Sequence, residues 1–177
     1  MRRCFFGSYG HSTGVWLRGC LSAGLAFVPP NFAYAASTKT TSFTVSATVL
    51  ASCSVSATNL SFGNYTASSG TNLDATSTVS VTCTNGQAYT IALDGGSVAA
   101  DVSARTMSDG AAHTLAYSLY TDAGHTTLWG DGTSGTSTVA GTGDGTQQDA
   151  TVYGRIAASQ FAAAGSYTDT VTVTVSY

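Results

Sequence analysis

Tyr167-Thr168-Asp169-Thr170-Val171-Thr172-Val173-Thr174-Val175-Ser176-Tyr177 is strictly alternating. Val171, Val173 and Val175 share one face with Tyr167, Asp169 and Tyr177, while Thr170, Thr172, Thr174 and Ser176 share the other. A period of two sends successive side chains to opposite sides of a strand, so the pattern predicts a half-buried strand with an apolar and a hydroxyl face. Valine and threonine suit that state because their stiff, branched side chains pack well on a pleated surface.

The same period governs the other end of the sequence. Phe43, Val45, Ala47, Val49, Ala51, Cys53 and Val55 alternate with polar neighbours, and only Leu50 breaks the pattern. From Thr41 to Leu60 the run is about 20 residues, against about 5 to 6 for an ordinary strand, which predicts two pieces with separate jobs. Residues ahead of Cys53 form an arm whose apolar face needs a partner, in this chain or in another. Between the two ends, shorter runs at 78–83, 88–93, 114–120, 127–129 and 150–156 are separated mostly by Gly, Asn, Asp or Ser clusters. Short strands so punctuated predict an all-β sandwich or barrel. The alanines of residues 157–164 lack a polar face and stop at Gly165, which allows a single helical turn at most.

Composition agrees. The 177 residues are 43% hydrophobic and only 8% charged, with no glutamate and one lysine, Lys39, so charge-paired helix faces cannot be built. Six cations, unclustered, exclude a nucleic-acid binder, which must neutralise phosphates. The glycines show no three-residue period, and the length suits one domain.

Arg2, Arg3 and Arg18 precede an apolar stretch, residues 21–28, then Pro29-Pro30 and the small-x-small site Ala33-Tyr34-Ala35-Ala36. That is the layout of a secretory signal peptide, and the apolar run falls short of the roughly 18 residues a bilayer span needs. The expected division is a signal peptide at 1–35, an arm at 36–52 and a β-sandwich domain at 53–177. After cleavage three cations, Lys39, Arg105 and Arg155, face nine aspartates, a formal charge of −6. Cys4 and Cys20 leave with the signal. Cys53 and Cys83 remain, and in an oxidising compartment they should pair. Closing that loop of about 31 residues should contribute about 3.5 kcal/mol in the chain-entropy description. A metal site is not expected: neither cysteine sits in a C-x-x-C pair, and only His113 and His125 remain to help.

Catalysis is not expected either. Hydroxyls abound, but no G-x-S-x-G elbow gives one a nucleophile's setting, and the aspartates lie scattered in turn-like clusters. Asp94-Gly95-Gly96, Asp131-Gly132-Thr133 and Asp144-Gly145-Thr146 are oxygen-rich, yet none has a calcium-loop spacing, so they are expected to be turns. No cofactor is expected. Tyr117, Tyr120 and Trp129 could form a sugar platform, but Tyr117 and Leu119 alternate with Ser118 and Tyr120, so one face must be core.

Several fragments, in order, resemble the spore coat protein U domain: residues 60–65 (LSFGNY), 79–86 (VSVTCTNG), 89–96 (YTIALDGG), 115–122 (LAYSLYTD), 128–133 (LWGDGT), 152–156 (VYGRI) and 165–175 (GSYTDTVTVTV). That family is similar to the subunits of archaic, Csu-type chaperone-usher pili. The resemblance implies an incomplete immunoglobulin-like β-sandwich completed by a donor strand from another chain, a case of strand addition to an open sheet edge. It implies a donor strand of Phe43, Val45, Ala47 and Val49, within an arm from Thr41 to Leu50, and an acceptor groove lined in part by Val171, Val173, Val175 and Tyr177. Ala47 is smaller than the residue the family often places there. The implied partners are neighbouring pilus subunits, a periplasmic chaperone and an outer-membrane usher. The implied location is the periplasm and then an extracellular pilus serving adhesion and biofilm formation. A tip adhesin of this kind would carry an extra amino-terminal domain, whereas here the arm follows the signal, which favours a stem subunit. The competing expectation is a secreted, self-complemented monomer, its arm folded into its own groove, acting as a coat or carbohydrate-binding protein.

Overall fold

The computed structural model describes residues 35–177; Arg2, Arg3, Arg18, Cys4, Cys20 and the rest of the expected signal segment lie outside the described residues, with Ala35 the exception. The chain divides into two units, Met1–Val45 and Ser46–Tyr177. In the first unit, residues 35–45 take no regular secondary structure, and Phe43 and Val45 are exposed.

The second unit is built from nine strands: β1 (Cys53–Ala57), β2 (Leu73–Cys83), β3 (Ala88–Leu93), β4 (Thr106–Ser108), β5 (Thr114–Ala116), β6 (Ser118–Tyr120), β7 (Val139–Thr142), β8 (Gln147–Ile156) and β9 (Val173–Ser176). One sheet has the order β1-β2-β8-β6, a second β7-β3-β9, and β4-β5 form a small ribbon. All the ladders are antiparallel. Among the described residues no helix is long and apolar enough to cross a membrane.

The alternation read from the sequence works as a burial code. In β2 it points Val79, Val81 and Cys83 inward and Ser80 and Thr82 outward; in β3 it buries Tyr89, Ile91 and Leu93. Together with Leu119, Val152, Ile156 and the fully buried Trp129, these residues form one core drawn from both larger sheets. The indole N–H of Trp129 donates to the Ile91 carbonyl at 3.1 Å, so its polar atom is satisfied inside. Trp129 and Tyr117 are therefore core residues and form no exposed platform.

Several expectations are corrected. The long first strand is not a strand throughout: only Cys53–Ala57 pairs, with β2, and residues 41–52 join no sheet. Period two announces a face, not a partner. The run 114–120 is broken at Tyr117, whose N–H donates to the Arg105 carbonyl, so β5 pairs with β4 while β6 pairs with β8. Residues 127–129 make only isolated bridges, Tyr120 with Leu128 and Trp129 with Ser137. Residues 157–164 hold no more than a turn, as expected. The Cys53–Cys83 disulfide is present, linking residues directly opposite each other in the β1–β2 ladder.

Candidate functional site

Where β1 ends, the sandwich opens. Beyond Ala57 the chain leaves β2 after Thr58, whose N–H donates to the Thr78 carbonyl at 2.9 Å and whose Oγ1 accepts from the Thr78 N–H at 3.0 Å, and becomes one lip of a cleft that carries Leu60 and Phe62. The other lip is the segment leading into β9, with Tyr167, Asp169, Val171 and Val173; the floor includes Val79, Leu93, Leu119 and Val152. The cleft has a volume of about 510 Å³. A second hollow of about 840 Å³ shares Leu60, Phe62, Met107, Tyr167 and Thr168 with it and extends past Tyr65 to residues 162–166. Gly154 sets the first lip. A Cβ there would stand 2.8 Å from the end of Leu60 and 2.9 Å from the end of Phe62, so a larger residue would oblige both side chains to shift.

The second lip has a free edge. Thr168 exchanges backbone hydrogen bonds with Ser108, the Thr170 carbonyl accepts from Ser97, and the Thr172 carbonyl accepts from Asp94. Even-numbered residues thus spend their backbone groups on the loops beside them. Strand geometry aims the groups of the odd-numbered residues the opposite way. Among the described residues, the backbone N–H and C=O of Asp169 and Val171 have no partner, nor do those of residues 59–62 on the facing lip. Unpaired groups along an open edge are a template for another strand.

Side-chain carboxylates hold this lip. Asp169 Oδ1 accepts from the Ser97 N–H (2.8 Å) and Oγ (2.9 Å), the Val98 N–H (3.1 Å) and its neighbour Thr170 N–H (2.8 Å), and Oδ2 accepts from the Tyr117 hydroxyl at 2.6 Å. Burial, reinforced by the adjacent Asp169 charge, drives the Tyr117 phenol far above its ordinary range. Asp94 Oδ1 accepts from the Thr172 and Gly96 N–H groups at 2.9 and 3.0 Å. Burial opposes the Asp94 charge, but these bonds and the nearby Arg105 outweigh it and hold the carboxyl below its usual range. Arg105, only 1% exposed, donates to the carbonyls of Asp94, Leu93 and Trp129. Its burial lowers the guanidinium pKa against the opposing pull of Tyr117 and the carboxylates.

Of the residues singled out from the sequence, Val171 and Val173 line the cleft. Val175 pairs with Ile91 in the β3–β9 ladder and packs on the core, and Tyr177 is 59% exposed. Phe43, Val45 and Val49 are each more than 80% exposed, and Ala47 is exposed too. Sequence reasoning missed Leu60, Phe62, Met107, Tyr117, Tyr167 and Asp169 as cleft residues. Inward alternation signalled Tyr167 and Asp169, whereas Leu60 and Phe62 come from a stretch with no strand of its own.

Most of the remaining polar candidates are engaged locally, although His125 Nε2 is buried without a hydrogen-bond partner among the described residues. Asp131 and Asp144 each accept from the N–H and Oγ of the threonine two residues on, which is turn chemistry. His113 Nδ1 lies 2.6 Å from Asp109 Oδ2 beside the β4–β5 turn, and that bond holds the Asp109 carboxyl low. Among the described residues no three His, Cys, Asp or Glu side chains gather as a metal site would require.

Comparison with known proteins adds two findings. In the structural comparison, a chain of the crystal structure of the CsuC-CsuE chaperone-tip adhesion subunit pre-assembly complex, from archaic chaperone-usher Csu pili of Acinetobacter baumannii, matches with a TM-score of 0.55 and 24% identity. The match covers 73% of this chain and 40% of that one, a likeness of fold. No curated protein matches the sequence. The family model for the Spore Coat Protein U domain matches residues 39–174, a span that includes both the arm and the cleft, and the chain belongs to that family.

Proposed function

We propose that this chain is a structural subunit of an archaic chaperone-usher pilus that polymerises by donor-strand complementation. The observation that carries the proposal is the coexistence of a cleft edged by unpaired backbone and an unpaired arm with exposed, alternating apolar side chains. Phe43, Val45, Ala47 and Val49 of one subunit would enter the next, along an edge that begins at Asp169 and Val171 and continues through Val173 and Val175 toward Tyr177. Strand addition satisfies both needs at once, since the backbone groups pair and the apolar faces leave water. Burying Phe43, Val45 and Val49 at about 1.5 to 3 kcal/mol each gives about 5 to 9 kcal/mol per junction before ordering costs.

Membership of the Spore Coat Protein U domain family and a fold neighbour from a chaperone-usher complex support this reading. An open edge of this kind is an aggregation hazard until filled, which gives a periplasmic chaperone and an outer-membrane usher their place as partners. The filament would be extracellular, a homopolymer or a heteropolymer, and would serve surface adhesion and biofilm formation. As a structural subunit the chain would have no enzymatic role.

The test is SDS electrophoresis without boiling, on the intact chain and on one deleted through Leu50. A heat-sensitive ladder that vanishes on deletion is the expected result. A soluble intact monomer that loses stability on deletion would establish self-complementation and overturn the proposal.

A further inference from the structure

The lip formed by residues 167–172 is unusual in what supports it. Val173–Ser176 belongs to a regular ladder, but the residues before it rest against irregular loops, where carboxylates supply much of the bonding. Asp169 is the hub. Its carboxylate gathers two donors from Ser97 and one each from Val98, Thr170 and Tyr117, while among the described residues its own backbone N–H and C=O have no partner. A Cβ on Gly96 would collide with Asp169 Oδ2, so the loop and the carboxylate are fitted closely. The Tyr117 ring meets Phe62 edge-on, with centroids 6.3 Å apart, so one residue touches both lips.

We infer that Asp169, with Tyr117 and Ser97, is a positioning cluster that holds the cleft edge extended before a strand arrives, and so sets the rate at which a neighbouring copy's arm is captured. The inference rests on the proposed pilin function. A lip that must be ordered during capture lowers the competent fraction, and apparent affinity and association fall with that fraction. Once the arm is seated, its own backbone bonds hold the lip, and the cluster matters less. The signature is a split: assembly slows while finished junctions keep their lifetime.

The test follows the chain, refolded from denaturant, as it assembles into heat-sensitive polymers on unboiled SDS gels, with dissociation of finished polymers timed separately. Asp169→Ala should slow assembly by about tenfold, with dissociation changed by less than about twofold, as loss of preorganisation requires. Asp169→Asn, which keeps an acceptor oxygen, should recover part of the rate. Tyr117→Phe and Ser97→Ala keep the fold and should each slow assembly by about two- to fivefold, which covers the case in which Asp169→Ala fails to fold. Amide exchange at Val98 and Thr170 in the unassembled variants should speed up. Wild-type assembly rates in Tyr117→Phe and Ser97→Ala would overturn the inference and leave the pilin proposal standing, as would dissociation accelerated in proportion to slowed assembly. A wild-type chain that never polymerises would overturn both.

Discussion

The C-terminal segment is two half-strands governed by different physics. Val173–Ser176 lies in register beside β3, with Val173 and Val175 packed on the core. Residues 167–172 continue the same sequence alternation, yet lean on loops through Asp94 and Asp169, and among the described residues the backbone of Asp169 and Val171 has no partner. One half is held by a neighbouring strand and the other by loops, and β9 still ends its sheet. A repeating Thr-Val sequence is equally strand-like in both, so what separates them is the neighbour each meets.

Paired substitutions break or sharpen that contrast. The largest effect belongs to the core behind β3: Trp129→Ala, which empties a fully buried site and unties the Ile91 carbonyl, should cost about 3 to 5 kcal/mol, read as a lowered urea midpoint in the monomer. Val175→Ala should cost the monomer about 1 to 2 kcal/mol, whereas Val171→Ala should cost it under about 1 kcal/mol and show its main effect in polymers that melt at lower temperature. Equal monomer losses at the two positions would erase the distinction between the halves.

Acid should separate the halves without mutation. The Asp94 carboxyl is depressed in the folded chain, so its contribution is present above the ordinary carboxylate pKa and is lost as pH falls through the lowered value. Amide shifts of Thr172 and Gly96 should therefore move below about pH 4, ahead of those of Ala92 and Thr174. Ala47→Val should strengthen a junction by about 1 kcal/mol, seen as a higher melting temperature for the polymer with the monomer unchanged. Smallest is Arg155→Gln. It breaks a bidentate pair with Asp74 on the outer face of the first sheet, part-exposed, and should change stability by under about 1 kcal/mol in a salt-sensitive way.

Much of this architecture was legible in the sequence. The faces of β2, β3, β8 and β9 follow from alternation alone, and the Cys53–Cys83 pair expected from the sequence is the cross-link seen between β1 and β2. What escaped was decided by tertiary contact. β7, made of Val139, Ala140, Gly141 and Thr142, lacks side chains bulky enough to mark a strand, and Tyr89 covers the place where a Gly141 side chain would be. The break at Tyr117 depends on Arg105, a buried cation whose three carbonyl partners lie at 93, 94 and 129. Of the cleft, Val171 and Val173 were readable as an apolar face, but the opposite lip was not, because Leu60 and Phe62 take their places from a residue almost a hundred positions away.

That residue, Gly154, lies under the first lip. A methyl group there would crowd the ends of the Leu60 and Phe62 side chains, which would have to shift, whereas the other lip is held by its own carboxylates. The seating of one lip thus depends on a central strand that forms neither. An engineer seeking subunits that accept a bulkier arm, or refuse their own, could begin at position 154 and leave both edges of the cleft untouched.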